Sequence, residues 1–248
     1  MSEDKKERVD VLLVKLGLAE TREKAQALIL AGKVLTGDKL LEKPGHKIPA
    51  DTPLRLRGAQ YHYVSRGAHK LLGAVTAFGL HLKDKVCLDV GASTGGFTQA
   101  CLEQGASKVY AVDVGTNQLH WKIRSNARVV SLEGVNMRGA SPDLLPEKVD
   151  FACVDTSFIS LKLILPELPR FLKPGAEVVA LIKPQHEVGK DQVGKGGLVR
   201  DPELHRQVND AIAAFAQSIG FKVRGLIESP LKGTTGNTEF LIHLAKRF

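Results

Sequence analysis

The fold of this chain is decided at Asp89-Val90-Gly91-Ala92-Ser93-Thr94-Gly95-Gly96-Phe97-Thr98. The apolar residues 86–88 in front of this stretch predict a buried strand, and the residues from Phe97 onward predict the start of a helix. Glycines between a strand and a helix let the backbone come close to a ligand, and the free N–H groups of the first helical turn face that ligand. The stretch therefore indicates a nucleotide-binding turn, with a plain structural connection as the alternative.

The spacing of the glycines favours one class of nucleotide ligand. It follows D-x-G-x-x-x-G-G, whereas the dinucleotide fingerprint is G-x-G-x-x-G. This form suits the adenosine and methionine moieties of S-adenosylmethionine (SAM) better than a pyrophosphate. Asp113 lies 22 residues beyond Gly91, a spacing at which an acid commonly holds ribose hydroxyls. The cofactor contacts predicted in this region are Asp89, Gly91, Ala92, Ser93, Thr94, Gly95, Gly96 and Asp113.

Length and composition limit the classes of protein that are possible. The chain has 248 residues, 25% of them charged, and it contains no apolar run long enough to cross a bilayer. The hydrophilic start of the sequence predicts no secretory signal. Cys87, Cys101 and Cys153 lie in apolar runs without metal-ligand spacing, so we expect reduced thiols, no metal site and a cytoplasmic protein. The formal net charge of +8 favours a polyanionic partner.

Strand and helix patterns alternate after residue 85, which predicts an α/β fold with a parallel sheet covered by helices on both faces. The last two strands are joined by a glycine-bearing segment without a helix, so the final strand should run antiparallel to the others. The predicted strands are 86–90, 108–113, 128–132, 149–154, 177–182, 221–227 and 239–245. The predicted helices are 65–77, capped by Ser65, and 96–104, 116–124, 158–172 and 202–219.

Charged residues from distant parts of the chain meet at one edge of this predicted sheet. Asp155 and Lys183 follow the fourth and fifth strands, and ligands of open α/β sheets bind at the carboxyl ends of parallel strands. An antiparallel last strand begins at the same edge, which brings Glu239 there. Lys70 reaches this edge because it lies early in a helix that runs antiparallel to the first strand. Taken singly, Lys70 has a solvated helix position as its alternative, and Asp113 has a turn cap.

A separate small module occupies residues 1–60. Apolar residues at helical spacing, with Gly17 and Gly32 as helix ends and Thr21 as an N-cap, predict two helices. A strand pair around the turn Gly37-Asp38 and a strand at 53–57 follow. Basic residues moderately outnumber acidic ones in this module. We predict a small domain at 1–60, a linker at 61–64 and an α/β domain at 65–248.

The small module resembles a known RNA-binding domain. The pattern runs from Arg8-Val9-Asp10-Val11-Leu12-Leu13 through residues 17–22 and 31–35 to Glu42-Lys43-Pro44. It is similar to the alpha-L motif of the small-subunit ribosomal protein S-four, which also occurs in pseudouridine synthases and tRNA synthetases. The resemblance implies an α+β domain whose basic side chains contact an RNA phosphate backbone, with an ordinary solvated charge as the alternative for each. The residues implied are Arg8, Arg22, Lys24 and Lys33.

Five stretches in chain order carry a second resemblance. They are Ser65-Arg66-Gly67-Ala68-His69-Lys70-Leu71, the glycine turn, Val154-Asp155-Thr156-Ser157-Phe158-Ile159-Ser160, Ile182-Lys183-Pro184-Gln185-His186-Glu187-Val188-Gly189-Lys190 and Gly236-Asn237-Thr238-Glu239. The combination resembles the TlyA family of ribosomal RNA (cytidine-2′-O)-methyltransferases, which are often labelled hemolysins. The α/β domain is also similar to FtsJ-type 2′-O-methyltransferases. Their Lys-Asp-Lys-Glu tetrad corresponds here to Lys70, Asp155, Lys183 and Glu239.

This resemblance implies a Rossmann-like sheet of the class I SAM-dependent methyltransferases, with SAM as cofactor. It places further cofactor contacts at Val114, Asn136 and Asp155, and an RNA contact at Arg66. The implied partner is ribosomal RNA or a ribosomal subunit, without a membrane, and we expect a monomer. The chain ends soon after the last strand, as in the shorter subtype associated with the large ribosomal subunit.

The implied reaction moves the SAM methyl group to a ribose 2′-OH. Lys183 is the expected general base, oriented by Asp155, while Lys70 and Glu239 position the ribose. The glycine-bearing loop 189–200, which carries Lys195 and Arg200, is interpreted as a mobile lid, an RNA-contacting loop or a plain connector. Two other functions stay open at this point, a non-catalytic RNA-binding assembly factor and a membrane-active hemolysin.

Overall fold

The computed structural model describes residues 6–16, 18–19, 21–37, 39–56 and 63–247. Its contacts divide the chain into two compact parts, the small unit (residues 1–62) and the large unit (residues 63–248). Several predicted features lie outside the described residues. They are the helix end at Gly17, the turn residue Asp38, the strand residue Arg57 and positions 61–62 of the linker.

The small unit consists of two helices and short strands around an apolar core that includes Val9, Leu13 and Ile29. Thr21 caps the second helix as predicted, because its hydroxyl accepts a hydrogen bond of 3.2 Å from the Lys24 N–H. The elements are β1 (Lys6–Arg8), α1 (Val9–Lys15), α2 (Arg22–Leu30), β2 (Val34–Thr36), β3 (Lys39–Leu40), β4 (Lys47–Pro49) and β5 (Arg55–Leu56).

The strands of the small unit form two separate sheets. β2 pairs with β3 in the predicted hairpin and also with β5, which covers two residues of the strand predicted at 53–57. β1 pairs with β4 and sets Arg8 opposite Lys47. The sequence did not predict this second pairing, because a three-residue strand shows too little alternation to be recognised.

The large unit alternates strands and helices. Its elements are α3 (Gly67–Phe78), β6 (Val86–Val90), α4 (Gly96–Glu103), β7 (Lys108–Asp113), α5 (Trp121–Arg124), β8 (Val129–Glu133), β9 (Val149–Val154), α6 (Leu161–Ile164), β10 (Leu172–Ile182), α7 (Pro184–Glu187), α8 (Pro202–Ser218), β11 (Phe221–Glu228) and β12 (Phe240–Lys246). Short 3-10 helices cover Pro142–Leu144, Leu165–Arg170 and Lys190–Gln192.

A seven-stranded sheet forms the centre of the large unit, in the order β11-β12-β10-β9-β6-β7-β8. The pairs among β10, β9, β6, β7 and β8 are parallel, and β12 is antiparallel to both of its neighbours. Alternate strand residues enter two different apolar clusters, Leu88 in one and Cys87 in the other, so each face of the sheet is covered. The predicted fold class is therefore confirmed.

The register of this sheet positions the charged residues that the sequence singled out. Ile182 lies opposite Phe240, so the residue after β10 and the residue before β12 come together at one edge. Val90 lies opposite Val154, which brings the glycine turn beside the residues that follow β9.

Three predicted helical features differ in the structure. The helix expected at 158–172 is only α6 followed by a 3-10 helix, because Pro166 and Pro169 remove backbone donors. The helix expected at 116–124 is reduced to α5, because the Glu133 carboxylate accepts hydrogen bonds from the N–H groups of residues 117–119 and holds them in a loop. Arg66, not Ser65, is the N-cap of α3, and the Ser65 hydroxyl accepts a hydrogen bond of 3.3 Å from the Gly67 N–H.

Candidate active site

The glycine turn, residues 91–96, brings backbone against backbone at the carboxyl edge of the sheet. Gly91 has a φ of +83°, and a Cβ there would lie 2.6 Å from the carbonyl oxygen of Asp155. At Gly96 a Cβ would overlap the hydroxyl of Ser65 in front of α3. Both positions therefore require glycine, because the turn packs closely against Asp155 and against the start of α3.

Two adjoining cavities open beside the glycine turn and share Gly91, Ser93, Asp155 and Ser157 on their walls. The apolar cavity has a volume of about 440 Å³, and its lining includes Val90, Val112, Val114, Val135, Met137, Ile159 and Ile164, together with Asp113 and Asn136. The charged cavity has a volume of about 340 Å³, and its lining includes Ala92, Thr94, Lys70, Lys183, Glu239, Arg66 and Lys232.

Two ion pairs, each with one buried and one half-buried member, lie on the wall of the charged cavity. Lys70 Nζ lies 2.5 Å from Glu239 Oε2, and Lys183 Nζ lies 2.7 Å from Asp155 Oδ1. Lys183 also donates a hydrogen bond of 2.9 Å to the hydroxyl of Ser157. The structure thus brings together the four residues that the topology placed at this edge. It pairs Lys183 with Asp155, as expected, and it adds the pairing of Lys70 with Glu239.

Two carboxylates organise the loop between β7 and α5, which lines the apolar cavity. Asp113 accepts hydrogen bonds of 2.7 Å from the N–H groups of Ser93 and Gly115, so it ties this loop to the glycine turn. Glu133, at the end of β8, accepts from three successive N–H groups at residues 117–119, which draws its pKa below the ordinary value. Val114 is 72% exposed on this loop, at the rim of the cavity.

Two of the predicted cofactor contacts face away from the cavities. The side chain of Asp89 is fully buried under the glycine turn and accepts a hydrogen bond of 2.6 Å from the Thr98 hydroxyl. Its burial raises its pKa to about 7. Gly95 packs against Leu119 and Ile123, so it serves the contact between the turn and α5. Neither residue is among those that line the two cavities, and the cofactor contacts expected at these two positions stay predictions.

The structure also reveals residues at the site that the sequence did not single out. Ser157 holds Lys183, and Lys232 lines the charged cavity from the segment between β11 and β12. Phe158 has a φ of +63° and is 94% exposed, an unusual backbone conformation for an aromatic residue. Hydrophobic periodicity in the sequence does not reveal a turn of this kind, so the exposure of Phe158 could not be predicted.

The residues predicted to contact RNA lie in both units. Arg8 and Arg22 are hydrogen-bonded to the buried carboxylate of Asp10. Lys24 and Lys33 line an open cavity along α2 in the small unit, and Arg66 lines the charged cavity of the large unit. Each unit thus carries basic side chains among the residues that were predicted to contact RNA.

The loop 189–200 is anchored in its second half. Asn237 is buried, accepts a hydrogen bond of 2.9 Å from the Val199 N–H and donates one of 2.8 Å to the Gly197 carbonyl. This anchoring connects the loop to the segment that precedes Glu239, which argues against a freely mobile lid there. Lys195 and Arg200 are exposed on the loop.

Comparison with known proteins assigns a family to each unit. A family model described as FtsJ-like methyltransferase matches residues 63–246, and a model described as S4 domain matches residues 7–52. Both resemblances drawn from the sequence are therefore confirmed.

Relatives of known sequence and structure align over nearly the whole chain. YqxC of Bacillus subtilis (strain 168), named as a candidate rRNA methyltransferase, is 51% identical over 241 residues, which are 97% of this chain and 86% of that protein. The 16S/23S rRNA (cytidine-2′-O)-methyltransferase TlyA of Mycobacterium tuberculosis is 45% identical over 238 residues, which are 96% of this chain and 89% of that protein. A solved structure of a candidate hemolysin from Streptococcus thermophilus is 50% identical, with a TM-score of 0.75, and the match covers 98% of this chain and 90% of that one.

One structural finding bears on membranes. Within the described ranges of the chain, no helix is both long enough and apolar enough to cross a bilayer.

Proposed function

We propose that this chain, which belongs to the FtsJ-like methyltransferase family, transfers a methyl group from SAM to the 2′-OH of a cytidine in ribosomal RNA. The observation that carries the proposal is the presence of two ion pairs, Lys70–Glu239 and Lys183–Asp155, beside the glycine turn. The name of the 45%-identical TlyA protein specifies this reaction for that protein. Large-subunit RNA is the first candidate substrate and small-subunit RNA the second.

The residues around the two cavities fit SAM. Residues 91–94 of the glycine turn line the charged cavity, and the apolar cavity suits an adenine ring. Asp113 already accepts two backbone N–H groups, but a carboxylate has about four lone-pair sites, so acceptor capacity remains for ribose hydroxyls. When bound, SAM supplies an electrophilic methyl group on a positively charged sulfur.

Lys183 is the proposed general base. A ribose hydroxyl is a poor nucleophile and needs a base within hydrogen-bond reach. Lys183 Nζ is held between Asp155 and Ser157, so the remaining direction of the amine is open toward a substrate. In its neutral form the amine would accept the proton that the ribose 2′-OH loses as its oxygen takes over the methyl group. Bound SAM would supply that methyl group and leave as the neutral thioether. Asp155 then stabilises the resulting ammonium.

The remainder of the charged cavity favours an RNA backbone. The charges of the four tetrad residues cancel, whereas Arg66 and Lys232 add positive charge to the lining and attract phosphate. Lys70 and Glu239 position the ribose. Phe158 lies on the wall of the adjoining apolar cavity, and its exposed ring offers a surface on which a base can stack. RNA is selected over DNA because only RNA carries the 2′-OH.

The test maps 2′-O-methyl groups on ribosomal RNA from cells with the gene, without it, and with the Lys183→Ala variant. We expect a cytidine that is methylated only when the wild-type gene is present. An unchanged methylation map would contradict the proposal. Calorimetry with SAM and a liposome-leakage assay then separate the other functions, because an assembly factor binds RNA without SAM and a hemolysin releases liposome contents.

A further inference from the structure

A buried carboxylate joins two basic side chains of the small unit. Asp10 lies in the first turn of α1, and its side chain is 0% exposed. Arg8 donates to it twice, from Nε to Oδ1 and from Nη2 to Oδ2, both at 2.9 Å. Arg22 Nε and Gln26 Nε2 donate to the same Oδ2, each at 2.9 Å. Three side chains from β1 and α2 thus converge on one carboxylate.

The two arginines keep donors for another ligand. A guanidinium has five N–H donors. Arg8 uses two of them on Asp10 and Arg22 uses one. The side chains of Arg8 and Arg22 are 39% and 52% exposed, so a ligand from solution can reach them. Phosphate oxygens, like carboxylate oxygens, match such forked donors.

The presence of Asp10 at this place needs a physical reason. A negative charge weakens the attraction of the surrounding surface for an RNA backbone, and a buried ion pair is weak evidence for stability by itself. The carboxylate does, however, orient the arginines, because both guanidiniums are bound to the same oxygen. Orientation lowers the entropy that each flexible side chain loses when it binds a ligand.

We infer that Asp10 is a positioning residue for RNA binding, which holds Arg8 and Arg22 as one unit that engages a single backbone phosphate. The inference rests on the proposed function, which supplies RNA as the ligand. This inference and a surface that attracts RNA by charge alone predict opposite effects of Asp10 on RNA affinity, which an experiment can measure. The charge of Asp10 opposes RNA binding, whereas its positioning effect favours it.

The first test compares two charge-removing variants of the full chain. Asp10→Asn removes a buried negative charge with little change of shape, and Glu42→Gln removes an exposed one in the same unit. Filter binding measures their affinity for large-subunit rRNA transcribed in vitro, over a series of salt concentrations. If charge alone mattered, both variants would bind RNA more tightly than wild type.

If Asp10 positions the arginines, Asp10→Asn should bind RNA more weakly than wild type. Asp10→Asn should weaken RNA binding by about three- to tenfold and lower the salt slope by roughly one unit, the value of one lost phosphate contact. Glu42→Gln should not weaken binding. If Asp10→Asn binds RNA as tightly as Glu42→Gln, the inference is overturned.

A second variant keeps the inference testable if Asp10→Asn does not fold, as judged by circular dichroism. Arg22→Lys retains the charge at a half-exposed position but loses the guanidinium fork. We expect it to lose about as much RNA affinity as Arg22→Ala, and wild-type affinity of Arg22→Lys would overturn the inference. SAM affinity should stay unchanged in every variant. Loss of the Asp10 effect alone therefore leaves the proposed methyl transfer standing, whereas the absence of methylation by the wild-type chain counts against that function.

Discussion

At the scale of single residues, Lys183 is bound to two acceptors, Asp155 and Ser157, on the wall of the charged cavity. If it is the general base, Lys183→Ala should lower the single-turnover rate of rRNA methylation at saturating SAM by about 10²–10⁴-fold. RNA affinity should change little, because the loss is felt in the transition state. Lys162→Ala, at an exposed position of the large unit, is the matched control.

The variant Lys183→Arg separates proton transfer from charge. A guanidinium stays protonated near neutral pH, so this variant should be as slow as Lys183→Ala. Near-wild-type turnover of the arginine variant would show that position 183 supplies charge. The tetrad would then act by orientation alone.

The buried Asp89 should make the folded state less stable as the pH rises, the opposite of the usual effect of a carboxylate. Burial is the largest cause that raises its pKa to about 7 in the folded state, whereas an unfolded aspartate titrates near about 3.9. The folded state therefore binds this proton more tightly than the unfolded chain. The stabilising contribution is complete below about pH 4 and is lost as the pH rises to about 7.

The measurement is urea unfolding of wild type and Asp89→Asn at pH 5 and at pH 8. The variant has no carboxylate to ionise, so its free energy of unfolding should fall less between the two pH values. Other titrating groups are common to both proteins and cancel in the difference. Equal pH dependence in the two proteins would mean that Asp89 is not held neutral by burial.

At the scale of elements, Asp113 connects the end of β7 to two loops, through Ser93 in the glycine turn and Gly115 after the strand. Asp113→Ala should weaken SAM binding by about 1–3 kcal/mol, the usual cost of leaving polar groups without their charged acceptor. Asp143→Ala, at an exposed 3-10 helix, is the control. Calorimetry measures both affinities. Unchanged SAM affinity in Asp113→Ala would remove this residue from the cofactor site.

Elements with strong hydrophobic patterns were predictable from the sequence. The strands of the large sheet coincide with apolar or alternating runs of sequence. The absence of a helical pattern between the last two strands indicated the antiparallel direction of β12. The convergence of Lys70 with Glu239, and of Lys183 with Asp155, follows from that topology. The order and direction of the strands, which the sequence indicates, are therefore enough to place these four residues at the carboxyl edge of the sheet.

Features that depend on particular side-chain contacts were not predictable in this way. The loop before α5 exists because Glu133 binds three backbone N–H groups, a contact that no periodic pattern reveals. The sequence indicated no role for Asp10, whose side chain is fully buried among Arg8, Arg22 and Gln26. Such contacts join residues that are distant in sequence, so they become visible only when the chain is folded.

At the scale of the whole molecule, positive charge is shared between two units with different expected tasks. The chain carries a formal net charge of +8. The small unit contributes exposed arginines and lysines, and the large unit contributes Arg66 and Lys232 next to the tetrad. If the small unit recruits RNA and the large unit performs the chemistry, charge removal from each unit should affect a different measured quantity.

Neutralising Arg8, Arg22 and Lys33 together should weaken rRNA binding and flatten its salt dependence by roughly one slope unit per lost phosphate contact. SAM affinity, and the single-turnover rate at saturating RNA, should stay near wild type, because these residues lie in the small unit. The control variant removes the same amount of charge from three exposed lysines of the large unit, Lys122, Lys162 and Lys222.

The double variant Arg66→Ala, Lys232→Ala completes the comparison. It should lower the single-turnover rate even at saturating RNA, since both side chains line the charged cavity.

If the triple variant of the small unit instead keeps wild-type RNA affinity and salt slope, the small unit does not recruit the substrate. Recruitment would then rest on the large unit, where the exposed Lys195 and Arg200 of the loop 189–200 are the next positions to neutralise.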